Sequence, residues 1–117
     1  MLTFVYFSNI LRLMEVLPSL LEFDWNAGNE NKNFLKHQVT NEETEEIFSN
    51  EPILVLRDQK HSAHEERFLL LGITNNDRRL SVIFTIRSNK VRVISARDMD
   101  KKERKFYEET TKTNTSI

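Results

Sequence analysis

Eight lysines and arginines crowd the stretch from Arg87 to Lys105 against three acids, whereas Glu22 to Glu66 holds four bases against eleven acids. The chain is therefore strongly polarised although its formal net charge is only −1, which points to one face for an anionic partner such as nucleic acid. Within the basic stretch, Lys90-Val91-Arg92-Val93-Ile94-Ser95-Ala96-Arg97 reads as a strand. Asp98-Met99-Asp100-Lys101-Lys102-Glu103-Arg104 follows as the entry to a helix. Guanidinium and ammonium groups thus gather where backbone N–H groups at a helix start also favour a phosphate. An exposed strand and helix that are merely solvated would carry the same pattern.

Further side chains with chemistry precede this region. Asn29, Asn33, Lys36 and His37 fall broadly on one side of a helix, leaving Phe34 and Leu35 to reach the core. The His37 imidazole can take or give a proton, with Lys36 beside it to hold an anion; the same pair near a helix C-terminus also serves the helix dipole. Arg67 opens a strand and could aim its guanidinium toward the same sheet end as Arg97, or pair with Glu65, Glu66 or an acid of the second helix. His61 and His64 lack a defined third ligand, so a solvated loop describes them better than a metal site. Trp25 reads as a packing anchor rather than a base-stacking platform.

The elements that must hold these groups follow from length and periodicity. At 117 residues the chain suits one domain, and 38% hydrophobic residues with eight Phe suffice for a core. Without cysteine there is no disulfide framework or thiolate nucleophile, which suits the cytoplasm. Arg12 and Glu15 interrupt the apolar N-terminal run, and no basic stretch precedes it, so neither a signal peptide nor a membrane anchor fits. Residues 1–20 are read as an extension of unknown role, with an amphipathic interaction helix as one form for it, and Met14 offers a second start.

A short strand is expected over Leu21 to Trp25, then a helix capped by Asn26 and running to about His37. Thr40-Asn41-Glu42-Glu43 has capping-box spacing for a second helix ending near Phe48. Ile53 to Arg57, Arg67 to Ile73, Arg79 to Arg87 and Lys90 to Arg97 read as four consecutive antiparallel strands, the last two joined at Ser88-Asn89. Alternation of Leu80, Val82, Phe84 and Ile86 gives the third of these a core-facing side. Asp100 to Glu103 repeats the capping box before a helix carrying Phe106 and Tyr107, and residues 110–117 form a frayed polar tail.

Taken in order, Phe23-Asp24-Trp25-Asn26, Asn33-x-x-Lys36-His37, Glu65-Glu66-Arg67-Phe68, Ile94-Ser95-Ala96-Arg97 and Glu103-x-x-x-Tyr107 resemble the BrnT toxin family over residues 21–109. The resemblance implies an α+β, RelE-like domain with a short strand and two helices, a four-stranded antiparallel sheet and a C-terminal helix. It further implies a ribonuclease that arrests translation, held inactive by a BrnA-type antitoxin. Such antitoxins pair a ribbon-helix-helix DNA-binding dimer with a toxin-binding tail, so operator DNA would be reached only through the antitoxin, in a heterotetramer. Asn26, Asn29 and Gln38 depart from the family's usual Asp, Lys and Gly, and losing that Lys would remove one phosphate contact.

RNA cleavage without cofactor or metal needs a base for the ribose 2′-OH, positive charge on the phosphorane oxygens and an acid for the departing 5′-oxygen. We expect Lys36 or His37 in proton transfer, Arg67 and Arg97 on the phosphate, and Asn33, Arg92, Arg104 and Tyr107 in substrate contacts. The products would be a 2′,3′-cyclic phosphate and a 5′-hydroxyl. Two other readings use the same basic edge: a non-catalytic module that binds RNA or protein, and a corepressor acting chiefly as the antitoxin's partner.

Overall fold

Five strands form one antiparallel meander, in the order β1 (Leu2–Phe7), β2 (Leu54–Asp58), β3 (Arg67–Ile73), β4 (Arg79–Arg87) and β5 (Lys90–Asp98). Among the described residues two short helices, α1 (Lys32–His37) and α2 (Asn41–Glu46), lie between β1 and β2, and α3 (Lys101–Thr115) follows β5. The structure, a computed structural model, describes residues 2–7, 22–58 and 65–115. Among these no helix is long and apolar enough to cross a membrane. His61 and His64 lie outside the described residues.

The α+β architecture agrees with the sequence reading, and four of the strands fall close to their expected limits. The fifth is a correction. Leu2–Phe7 runs beside β2, from Leu2 opposite Asp58 to Phe7 opposite Leu54, so this part of the 1–20 extension is an edge strand rather than an interaction helix. Its β-branched and aromatic residues suit a strand, and β2 offers a row of backbone donors and acceptors that a further strand pairs. At the other end of the chain, α3 continues to Thr115, past the 110 boundary; within it the Thr111 hydroxyl donates to the Tyr107 carbonyl at 2.7 Å.

Both faces of the sheet are covered. One packs Phe68, Leu70, Leu80, Val82, Phe84, Val91, Val93 and Ala96 against Val39, Ile47 and Phe48 of the α1–α2 region. Phe48 meets Phe23 and Phe84 edge-on, each with ring centres 5.1 Å apart. The opposite face packs Leu54, Leu56, Leu69 and Leu71 against Met99 and Tyr107. This two-sided burial explains why β2 and β3 read as nearly continuous apolar runs.

The expected strand over 21–25 shrinks to one parallel bridge, Phe23 with Val91. The helix expected from Asn26 begins instead at Lys32, after Asn31 in a left-handed conformation. The reason is local competition: the Asn26 side chain accepts from the Gly28 N–H at 2.8 Å, offering the backbone a turn in place of a helix. Trp25 stacks on Phe23 and its indole donates to Glu45 at 2.7 Å, as befits a packing anchor.

Past the Phe23 bridge to Val91, the outer edge of β5 is covered by side chains of the α1 region. Asn29 donates to the Val93 carbonyl at 3.2 Å, Lys32 to the Ile94 carbonyl at 2.9 Å, and Asn33 accepts from the Ala96 N–H at 2.9 Å. Asn29 and Asn33 are consequently buried. Phe34 and Leu35, expected in the core, point outward at 50% and 82% exposure. Turning the helix to bring Asn33 onto the strand edge leaves those two neighbours on the far side.

Candidate active site

The end of α1 and the start of α2 converge on Arg78, which also holds Asp98 at the end of β5. Arg78, just before β4, places Nε 2.7 Å and Nη2 3.1 Å from the Asp98 carboxylate. Its Nη1 reaches both Glu43 oxygens at 3.2 Å and the Gln38 carbonyl at 2.9 Å, and Nη2 reaches the His37 carbonyl at 3.3 Å. One guanidinium therefore ties the end of α1 and the start of α2 to the sheet. Arg78's bond to Asp98, assisted by the charges of Arg78, Arg104 and His37, holds the Asp98 carboxyl below its ordinary value. Arg78 in turn keeps its proton more firmly than an ordinary guanidinium, first because of its bonds to Asp98.

Burial pushes Glu43 upward, but hydrogen bonds from the Thr40 backbone and from Arg78 outweigh it and leave the carboxyl net lowered. The capping box of Thr40 and Glu43 supplies that geometry, with the Glu43 N–H donating to the Thr40 hydroxyl at 3.0 Å and the Thr40 N–H to Glu43 at 3.0 Å. At the end of α1, Gln38 sits in the left-handed region at φ 58° and donates to the Phe34 carbonyl at 2.9 Å. Gln38 thus stands at a position that glycine would occupy without strain.

Asp77, Arg78, Arg79, Asp98, Arg104 and Glu108 line a cleft of about 360 Å³ at this end of the sheet. A larger hollow of about 680 Å³ opens among Ser49, Asn50, Glu51, Ile73, Thr74 and Asn75. Among the described residues no cation lines that hollow, whereas Arg78, Arg79 and Arg104 line the smaller cleft, the better fit to an anionic substrate. Lys36 and Arg104 are exposed, His37 is half-buried, and the charges of His37 and Arg104 both act on Asp98.

The expected site is only partly assembled. Arg104 lines the cleft with Asp98, the His37 carbonyl is held there by Arg78 at 3.3 Å, and Lys36, one residue earlier on α1, is exposed. Arg97 is at the same end but on the opposite face: Nη1 and Nη2 fork onto Glu103 at 2.8 and 2.9 Å, and Glu103 also accepts from Ser81 at 3.2 Å and from the Asp100 N–H at 2.9 Å. A bulge on β5 causes this. Ile83 pairs with Ser95 and Phe84 with Val93, leaving Ile94 extra, so residues after it exchange faces. Without the bulge Arg97 would share the face of Val91, Val93 and α1; with it, Asp98 faces α1 and Arg97 faces α3.

Arg67 does not join them. It pairs with Thr85, which pairs with Arg92, whereas Arg97 is opposite Ser81 and through it Leu71. Arg67 and Arg97 are thus four residues apart along the strands, about 13 Å at strand rise, and two strands apart across the sheet. Arg92 lies at the Arg67 end and turns inward, its Nη1 3.6 Å from the Asp24 carboxylate. Asn33 is spent on the Ala96 N–H, and Tyr107, at 1% exposure, donates its hydroxyl to the Pro52 carbonyl at 2.5 Å. Burial also pushes the Tyr107 phenol upward, so it stays protonated. Arg67, Arg92, Asn33 and Tyr107 therefore do not line the cleft beside His37.

Arg78 and Asp98 were missed as site residues. The only trace in sequence is the charged pair Arg78-Arg79 at a strand start opposite an acid at a strand end, a signal that becomes legible once register is known.

Among curated proteins none matches the chain. Residues 25–103, more than half of the chain, match a family described as the ribonuclease toxin, BrnT, of type II toxin-antitoxin systems. The match spans every element from the Trp25 anchor through α1, α2, β2 to β5 and the Glu103 cap of α3. Type II membership implies an antitoxin protein as partner. The chain belongs to the BrnT family of ribonuclease toxins.

Proposed function

We propose that this protein is a metal-independent endoribonuclease that inhibits translation by cutting RNA at the Asp98 end of its sheet. The observation that carries this reading is the cleft lined by Arg78, Asp98 and Arg104, whose Arg78 also holds the His37 carbonyl at 3.3 Å and so ties the end of α1 to it. A ribose-phosphate linkage there meets an imidazole and two cations. His37 takes the 2′-OH proton as the 2′-oxygen bonds to phosphorus, and the bond from phosphorus to the 5′-oxygen breaks. The Lys36 ammonium supplies a proton to that oxygen, and Arg104 balances charge on the phosphorane. The products are a 2′,3′-cyclic phosphate and a 5′-hydroxyl. Arg97, engaged by Glu103, acts by fixing the start of α3 and hence Arg104.

In this reading the domain is RelE-like and works in the cytoplasm, and its partner is a BrnA-type ribbon-helix-helix antitoxin bound in a heterotetramer. Operator DNA is contacted through the antitoxin. Induced expression with and without that partner, followed by mapping of RNA ends, tests the proposal. Cyclic-phosphate ends that persist in EDTA are expected, and intact RNA with unaffected growth would refute it.

A second reading, a non-catalytic module serving as antitoxin partner and corepressor, draws on the neutralisation of Arg78 and Arg97 by the chain's own acids. RNA binding without turnover by the purified protein would select it.

A further inference from the structure

Two of the three exposed large hydrophobic residues among those described, Phe34 and Leu35, are consecutive on the six-residue helix α1. Their outward position is enforced. Asn33 is anchored to the Ala96 N–H and Lys32 to the Ile94 carbonyl, so α1 cannot roll to bury them without breaking both bonds to the edge of β5. Lys32 and Lys36 bracket the pair and are exposed, and His37 follows on the same helix. The result is a small apolar knob with cations on either side, held rigidly beside the proposed catalytic groups.

We infer that Phe34 and Leu35 are the anchor onto which an acidic amphipathic segment of the antitoxin docks, its apolar side chains on the pair and its carboxylates on Lys32 and Lys36. The inference rests on the toxin–antitoxin reading and names the surface that reading leaves open. Aliphatic and aromatic side chains that leave water at the centre of an interface carry most of its energy, and flanking charges set orientation and association rate. Single-stranded RNA is the weaker candidate for this surface. A base would stack on Phe34, but Leu35, the more exposed of the two, offers neither a π-face nor a hydrogen bond. Docking here also gives inhibition a direct geometry, because a chain seated on residues 34 and 35 passes over Lys36 and His37.

The test titrates the full-length protein with the product of the reading frame adjacent to its own, using wild type, Leu35→Ser, Phe34→Ser and the double variant. Each single change is expected to weaken binding at least about tenfold and the double change more. RNA cleavage by the unbound variants and their melting temperatures should stay near wild type, since both side chains are exposed. Backbone amides of residues 34–38 should gain hydrogen-exchange protection in the complex. Unchanged affinity in the double variant, or no protection of that segment, would overturn the inference while leaving the toxin reading intact. So would a loss confined to RNA affinity in Phe34→Ser, or a dimer of the unbound protein dissolved by Leu35→Ser with antitoxin affinity unchanged. A wild-type protein that neither binds that product nor cuts RNA would overturn both readings together.

Discussion

Arg78, at the threshold of β4, forks onto Asp98 at the end of β5, with Nε 2.7 Å from Oδ1 and Nη2 3.1 Å from Oδ2. The same guanidinium reaches Glu43 and the last carbonyls of α1. A helix of six residues has little stability of its own, so α1 depends on such ties to hold His37 in place.

Stability should fall in acid through this cluster. Folding lowers the pKa of Asp98, chiefly through its bond to Arg78, and lowers that of Glu43 despite burial. The unfolded chain then binds these protons more tightly, so the contribution is complete above the unfolded values of 3.8 and 4.5 and disappears as pH drops through the folded ones. Arg78→Ala should cost about 1–3 kcal/mol near neutrality, the exposure of Asp98 limiting the loss, and should flatten the acid limb. Urea unfolding between acid and neutral pH measures both.

RNA cleavage should separate from folding at His37. His37→Gln is expected to lower the cleavage rate about 10²–10⁴-fold, and Arg104→Ala about 10²-fold, with melting temperatures little changed. Single-turnover cleavage of a defined RNA beside a thermal melt reads the two effects apart. A wild-type rate in His37→Gln would remove the imidazole from the mechanism.

Arg97 should behave differently from Arg104 although both are arginines of the same basic stretch. Its bidentate pair with Glu103 is joined to the capping box of α3, so Arg97→Ala and Glu103→Gln should each destabilise the protein by about 1–2 kcal/mol after allowance for exposure. Cleavage per folded molecule should change less than in Arg104→Ala. Chemical denaturation with fraction-folded correction of the rates would show the opposite ordering if Arg97 instead gripped the phosphate.

Gln38 occupies the left-handed position that ends α1. Replacing it with glycine removes the Cβ strain at φ 58° and should stabilise the protein by about 0.5–1 kcal/mol, offset in part by the greater freedom of the unfolded chain. A rise in the urea midpoint with unchanged slope is the expected result. A fall would show that the Gln38 side chain makes a contribution larger than the backbone strain.

Local pattern alone determined much of this protein. Strand alternation in Leu80, Val82, Phe84 and Ile86 marked the buried face of β4, and the spacings Thr40 to Glu43 and Asp100 to Glu103 marked two capping boxes that form. These signals are legible because each depends on residues a few positions apart. The order of the motifs likewise carried the family.

Tertiary structure decided which side chains share a surface. Pairing register set Arg67 far from Arg97, and the inserted Ile94 turned Arg97 toward Glu103 while turning Asp98 toward α1. The backbone N–H of Ala96 drew Asn33 inward and left Phe34 and Leu35 in water. None of this is written in a short window of residues. A strand's faces differ by a single residue of register, and that residue is fixed by partners tens of positions away.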